Sequence, residues 1–119
     1  MSQDFQAGDF LIFQIESAYG LLRILAVEEA QNGTVWHLAA YNEMFLDVET
    51  ADAWIENGSD LTVSYAHLAL TNRAFESTQV ARMSNLPLSE NELQPLKDWR
   101  EIGNRKISDL SVRLLLGLR

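Results

Sequence analysis

The chain has no cysteine, only two prolines in 119 residues, and a single cation in its first 72 residues. Absence of cysteine excludes disulfides, thiolate metal sites and thiol nucleophiles together. The six glycines are isolated, so there is no glycine-rich cradle for a phosphate, and no serine sits in a glycine-flanked elbow. The longest apolar clusters, Leu21 to Val27 and Leu114 to Leu118, fall far short of the ~20 residues of a spanning helix. Met1-Ser2-Gln3-Asp4 lacks the basic and apolar regions of a signal peptide. A soluble protein of cytoplasmic residence, without membrane contact, is the expectation.

What is present is a separation of charge. Residues 1–72 hold eleven carboxylates against one cation, Arg23, a net of −10. Residues 73–119 hold eight cations against six carboxylates, a net of +2, which completes the total of −8. A net charge of −8 repels duplex DNA and anionic lipid and favours basic partners. Arg100, Arg105, Lys106 and Arg113 are interrupted by Asp98, Glu101 and Asp109, which makes a mixed solvated face rather than a nucleic-acid surface. Hydrophobic residues at 47% and charged residues at 22% are those of a globular chain able to bury a core. A single domain over 1–119 is expected, with a sheet body at about 5–85 and a helical segment at about 89–117.

The body reads as strands. Residues 9–15 (DFLIFQI) are apolar on both faces, which predicts a buried strand. Residues 17–20 (SAYG) suit a turn, with Gly20 free to adopt positive φ. A second strand follows over 20–28, then the hairpin signal Asn32-Gly33, then a third strand over 34–41. Asp47 caps a short helix over about 48–57 with Val48, Ala51 and Ile55 on one face, ended by Asn57-Gly58. Leu61, Val63 and Tyr65 alternate with polar residues as in a half-buried strand, which continues to Leu70. A helical turn at 73–76 and a short strand near 78–83 come next.

Towards the C-terminus, Ser89 and Glu92 have capping-box spacing, with Leu88 and Leu93 placed for a hydrophobic staple. Pro95 conflicts with a helix interior, so a single turn at 89–93 followed by a helix starting at Pro95 is preferred over a kinked helix. Leu93, Leu96, Trp99 and Ile102 form an apolar stripe stopped by Gly103-Asn104. A last helix over about 109–116, capped by Ser108 or Asp109, carries Leu110, Leu114 and Leu115 and ends at Gly117. Leu114 to Leu118 suits a docked terminal helix or a homodimer seam equally. The fold class is α+β: a small curled antiparallel sheet or partly open barrel, with one inserted short helix and C-terminal helices over one end.

Two clusters draw attention. Arg23, His37, Tyr41 and His67 are the candidate ligand-binding residues: a lone cation and two histidines on apolar strands, with a tyrosine beside them. His37 and His67 with Glu43 and Asp47 have the composition of a two-histidine carboxylate site, but not its spacing, so hydrogen-bonded sheet histidines are the preferred reading and no metal or cofactor is assigned. Arg23 reads as a strand arginine paired with a carboxylate, with Asp9, Glu16, Glu43 and Asp47 as candidates. Adjacent carboxylates such as Glu28-Glu29 point to opposite faces of a strand. The second cluster joins Glu43, Met44, Phe45, Asp47 and Trp54, with Tyr41 beside it. It reads either as core or as apolar anchors inside an acidic rim.

Phe5, Gly8-Asp9-Phe10, Tyr19-Gly20 and Arg23-Ile24-Leu25 together resemble small bacterial β-barrel proteins of the toxin-immunity type, over about residues 5–27. The resemblance implies an acidic inhibitor that holds a basic toxin enzyme, and it carries no individual binding residue across. With no catalytic signature in the chain, a non-enzymatic acidic binding protein with a basic protein partner is expected. A small-ligand or enzymatic module with a pocket around Arg23, His37 and Tyr41 is the alternative.

Overall fold

A computed structural model describes residues 5–31, 33–57, 61–102 and 105–117. Five antiparallel strands form one sheet in the order β4-β3-β2-β1-β5: β1 Asp9–Ile15, β2 Ala18–Ala30, β3 Gly33–Tyr41, β4 Val63–Thr71 and β5 Val80–Asn85. No pairing between β4 and β5 closes a barrel among the described residues. Among the described residues, four helices complete the α+β fold: α1 Val48–Glu56, α2 Asn72–Glu76, α3 Glu90–Glu101 and α4 Val112–Leu115.

The double-sided hydrophobicity of the first strands has a direct cause, because helices cover both faces of the sheet rather than one end. On one face Leu11, Phe13, Leu22, Ile24, Trp36, Leu38 and Leu70 pack beneath Ala74 and Phe75 of α2 and Val112 of α4. On the other, Phe10, Ile12, Leu21 and Tyr41 pack against Phe45 and α1 through Ala51 and Ile55. Beside them on this second face, Leu25 and Ala39 meet Leu96 of α3. Register shifts between Ile24 and Ala26 in β2, and between Leu38 and Tyr41 in β3, bend the sheet.

Several boundaries differ from the sequence reading. Gly20 lies inside β2 opposite Phe13, and its use is steric: a Cβ there would stand 2.6 Å from Phe13 Cζ. Positive φ is found instead at Gly8, at 94°, and at Gly33 and Gly117. The Gly8 N–H donates to the Ile24 carbonyl at 2.8 Å, and the Gly8 carbonyl accepts from Leu86 N. Ala30 pairs with Gly33 across the second hairpin, while Asn32 itself lies outside the described residues, as do Gly58, Gly103, Asn104 and Leu118. The short strand falls at Val80–Asn85 rather than 78–83. Val63 and Tyr65 are exposed, because that half of β4 reaches past the covering elements.

The C-terminal helices also need correction. Helix α3 runs unbroken from Glu90 with Pro95 inside it. The missing Pro95 N–H forfeits one bond to the carbonyl of Asn91, an exposed residue. Both halves of the Ser89/Glu92 capping box form, and Leu88 and Leu93 pack with buried Leu96, so the start at Glu90 wins. Ile102 is exposed as the cap residue rather than part of a buried stripe. The last helix is capped by Ser111 and docks through Val112, Leu115 and Leu116, which leaves Leu110 and Leu114 exposed.

Candidate functional site

The structure divides the four candidate ligand residues into two environments on one face of the sheet. Arg23 sits in β2 at 2% exposure. Its Nη1 donates to the Gly8 carbonyl at 3.0 Å and its Nη2 to the Pro87 carbonyl at 3.1 Å. The guanidinium carbon lies 4.1 Å from the Phe10 ring centroid, and Phe10 stacks on Tyr41. The carboxylate partner is Glu92 of α3, 3.4 Å from Nε, and none of the four carboxylates expected from sequence. Tyr41 is 9% exposed, and burial pushes its hydroxyl up to about 12. Arg23 is therefore a clamp joining β2, the chain before β1 and the entry to α3.

His37 and His67 come together instead with two residues outside the candidate sets read from sequence, Glu28 and Trp99. His37 is fully buried in β3. Its Nε2 lies 3.1 Å from Glu28 Oε1, and its Nδ1 lies 2.9 Å from His67 Nε2. Trp99 packs on both imidazoles, with ring centroids 5.1 Å from His37 and 5.2 Å from His67. The Trp99 Nε1–H donates to the Lys106 carbonyl, which holds the ring over the pair. Arg100 approaches Glu28 at 3.5 Å. Glu28 and His67 occupy opposite nitrogens of His37, so the three groups form a hydrogen-bond chain rather than a shared ligand set. No metal-holding cluster of histidines and carboxylates occurs among the described residues. A groove of about 510 Å³ opens beside this chain, lined by His67, Trp99, Ile107 and Leu115 among others.

Burial lowers the pKa of both histidines, that of His67 to about 4, with the charges of His37 and Arg100 adding to the effect. For His37 the hydrogen bond and charge of Glu28 oppose the burial, and the charge of Arg100 assists it. Partial burial raises the Glu28 carboxyl, but the interactions with His37 and Arg100 outweigh it and leave the group below the usual range. At neutral pH a carboxylate therefore faces two neutral imidazoles.

A folded-state pKa below the unfolded value of 6.5 means that the unfolded chain binds more protons as pH falls, so acid destabilises the fold. Between pH 6.5 and 4 the loss attributable to His67 is on the order of 2 kcal/mol, after allowance for solvent in the groove. Denaturant unfolding at several pH values measures it. The His67→Gln variant should lose most of this slope; an unchanged slope would mean that other groups carry it.

The interaction cluster lies on the same side of the sheet as these groups, around α1. Tyr19 and Phe45 exchange backbone hydrogen bonds at 2.7 and 2.9 Å, which pins the connection after β3 to β2. Thr62 N donates to Glu43 Oε1, and Asp47 Oδ1 accepts from both the hydroxyl and the N–H of Thr50 at the start of α1. Those Thr50 bonds hold the Asp47 carboxyl below its ordinary range. Glu43, Met44, Phe45, Asp47 and Trp54 all line one groove of about 340 Å³. Phe45 is core at 3% exposure and packs edge-on against Trp54. Met44 is 49% exposed, and Leu46, absent from the sequence-based set, is 84% exposed on the rim. The alternation of Met44, Phe45 and Leu46 offers no period that tells core from surface; the Tyr19–Phe45 bridge decides it.

Ion pairs Asp9–Arg82 and Glu28–Arg100 fold part of the basic segment onto the acidic body. Residues 24–72 contain no lysine or arginine. Among the described residues, the carboxylates Glu43, Asp47, Glu49, Asp52 and Glu56 take part in none of the ion pairs shorter than 4.0 Å. The charged residues that line the groove beside α1, Glu43 and Asp47, are both acidic. No helix among the described residues is long and apolar enough to cross a membrane. No protein-family model, curated protein or solved structure matches the chain.

Proposed function

We propose that the protein is a non-enzymatic binding protein that uses the surface around residues 43–56 to hold a basic protein, in the manner of an immunity-type inhibitor. The observation that carries this reading is the placement of Leu46, 84% exposed, beside Met44 on the rim of a groove whose charged residues are all acidic. An exposed leucine costs little by itself. With Glu43 and Asp47 in the same groove, it has the form of an apolar anchor beside groups that select and steer a cationic partner. The resemblance at residues 5–27 points in the same direction, towards inhibition of a basic toxin enzyme.

The test is affinity capture from the native host with the full chain at low and high salt, followed by binding measurements on the captured protein. A basic protein should be retained at low salt and released by added salt. Leu46→Ala should weaken binding about tenfold or more, and the double variant Glu49→Lys/Glu56→Lys should slow association while leaving the fold intact. An immunity role predicts that the captured protein arrests growth when expressed alone and not when co-expressed with this chain. Undiminished binding by both variants would sink the assignment of the surface. Self-association through exposed Leu110 and Leu114 is a separate outcome, read by sedimentation of the free chain.

A further inference from the structure

Arg23 is not among the residues that line the groove beside His67, and the hydrogen-bond chain at that groove has a definite polarity. An ionised carboxylate only accepts, so Glu28 requires the proton of His37 on Nε2. Neutral His37 then presents a bare Nδ1, which accepts from the Nε2–H of His67. Neutral His67 is left with its proton on Nε2 and none on Nδ1. Each link determines the next, and the lone pair at the end belongs to a residue that lines the groove. Most of the other lining residues, Trp99, Leu68, Ala69, Ile107 and Leu115, are aromatic or aliphatic, and Lys106 and Ser108 complete the wall.

We propose that this groove is a small-molecule site for a flat aromatic compound bearing an N–H or O–H donor, of the phenol or indole class. The donor meets His67 Nδ1, and the ring lies against Trp99 and the aliphatic walls. The groove, at about 510 Å³, has room for one or two fused rings. Glu28 and His37 act as positioning residues: they hold the imidazole of His67 in its acceptor form. This site is independent of the acidic surface around α1, so either stands if the other fails.

The experiment uses the full chain at neutral pH, with long-range ¹H–¹⁵N spectra of the imidazoles and the indole N–H of Trp99. Phenol and indole are the donor probes, and toluene is the donorless control of similar shape. In the free protein His67 should show an unprotonated Nδ1. Phenol and indole should shift that nitrogen and the Trp99 signal saturably. Their binding should be about three- to tenfold tighter than that of toluene, the ratio for one neutral hydrogen bond. A protonated Nδ1 in the free chain, no saturable shift with either donor probe, or equal binding of toluene would each overturn the proposal. The comparison of ligands on the unaltered chain needs no variant that might misfold.

Discussion

Replacing Arg23 with alanine should lower the unfolding free energy by about 3–5 kcal/mol, measured by urea denaturation. The guanidinium is 2% exposed and satisfies two backbone carbonyls, those of Gly8 and Pro87. Removing it leaves both acceptors short of a donor, opens a cavity above Phe10, and strips Glu92 of its nearby cation. The Glu92 contribution is the smaller part. The Nε–Oε2 distance of 3.4 Å does not make a hydrogen bond, and Nε is a buried nitrogen without one. Glu92 also accepts from Ser89 N in the α3 capping box. Glu92→Gln should therefore cost under about 1 kcal/mol. Arg23→Lys should recover only part of the loss, because a single ammonium on a flexible stem does not reproduce the planar fork. A loss below about 1 kcal/mol for Arg23→Ala would refute the clamp and reopen a ligand role for this residue.

Phe75→Ala should cost a comparable 3–5 kcal/mol, about the range for emptying a buried phenylalanine site. Phe75 of α2 is 1% exposed and stacks on Trp36 with centroids 4.0 Å apart and planes 13° apart. Phe5 packs edge-on against both rings. Loss of the ring removes this aromatic contact as well as apolar burial. For a domain of this size the melting temperature should fall by more than about 10 °C, read by thermal circular dichroism. Leu114→Ala is the control. Leu114 is 64% exposed, so that change should stay within about 0.5 kcal/mol. A large effect at Leu114 would imply that the outer side of α4 is covered in solution.

Comparison of the sequence reading with the fold separates local from non-local causes. Asp47 capping α1 and the Ser89/Glu92 box starting α3 are settled within a few residues of chain, and both form. Ser108, Asp109 and Ser111 are all competent to cap α4. The choice falls to Val112, whose burial against the sheet requires a start at Ser111. The packing of Leu93 and Leu96 outweighs the one backbone bond that Pro95 forfeits, so the helix runs through it. Val48, Leu110 and Ile102 carry the residue types of a buried stripe, yet lie on surfaces that no element covers.

The candidate site was legible in part. Glu43, Met44, Phe45, Asp47 and Trp54 are close in sequence, and they stay together in space. Arg23, His37, Tyr41 and His67 come from three strands, and their grouping depends on register. Because β3 pairs with β4, His37 meets His67; because α3 crosses β2 and β4, Trp99 covers the pair and Glu92 reaches Arg23. No spacing in the chain announces Glu28 as the partner of His37, nine residues away across a hairpin.

Composition, charge order, local caps and strand runs by themselves determined that this chain forms an α+β domain without thiol chemistry, with all cations but Arg23 confined to residues 73–119. Those properties depend on residue type and on neighbours within a few positions. Which carboxylate meets Arg23, which histidine keeps a free nitrogen at a groove, and which leucine stands in solvent were decided only when distant segments packed. Two covered faces and strand register set those distances, and a side chain's partner follows from distance rather than from order along the chain.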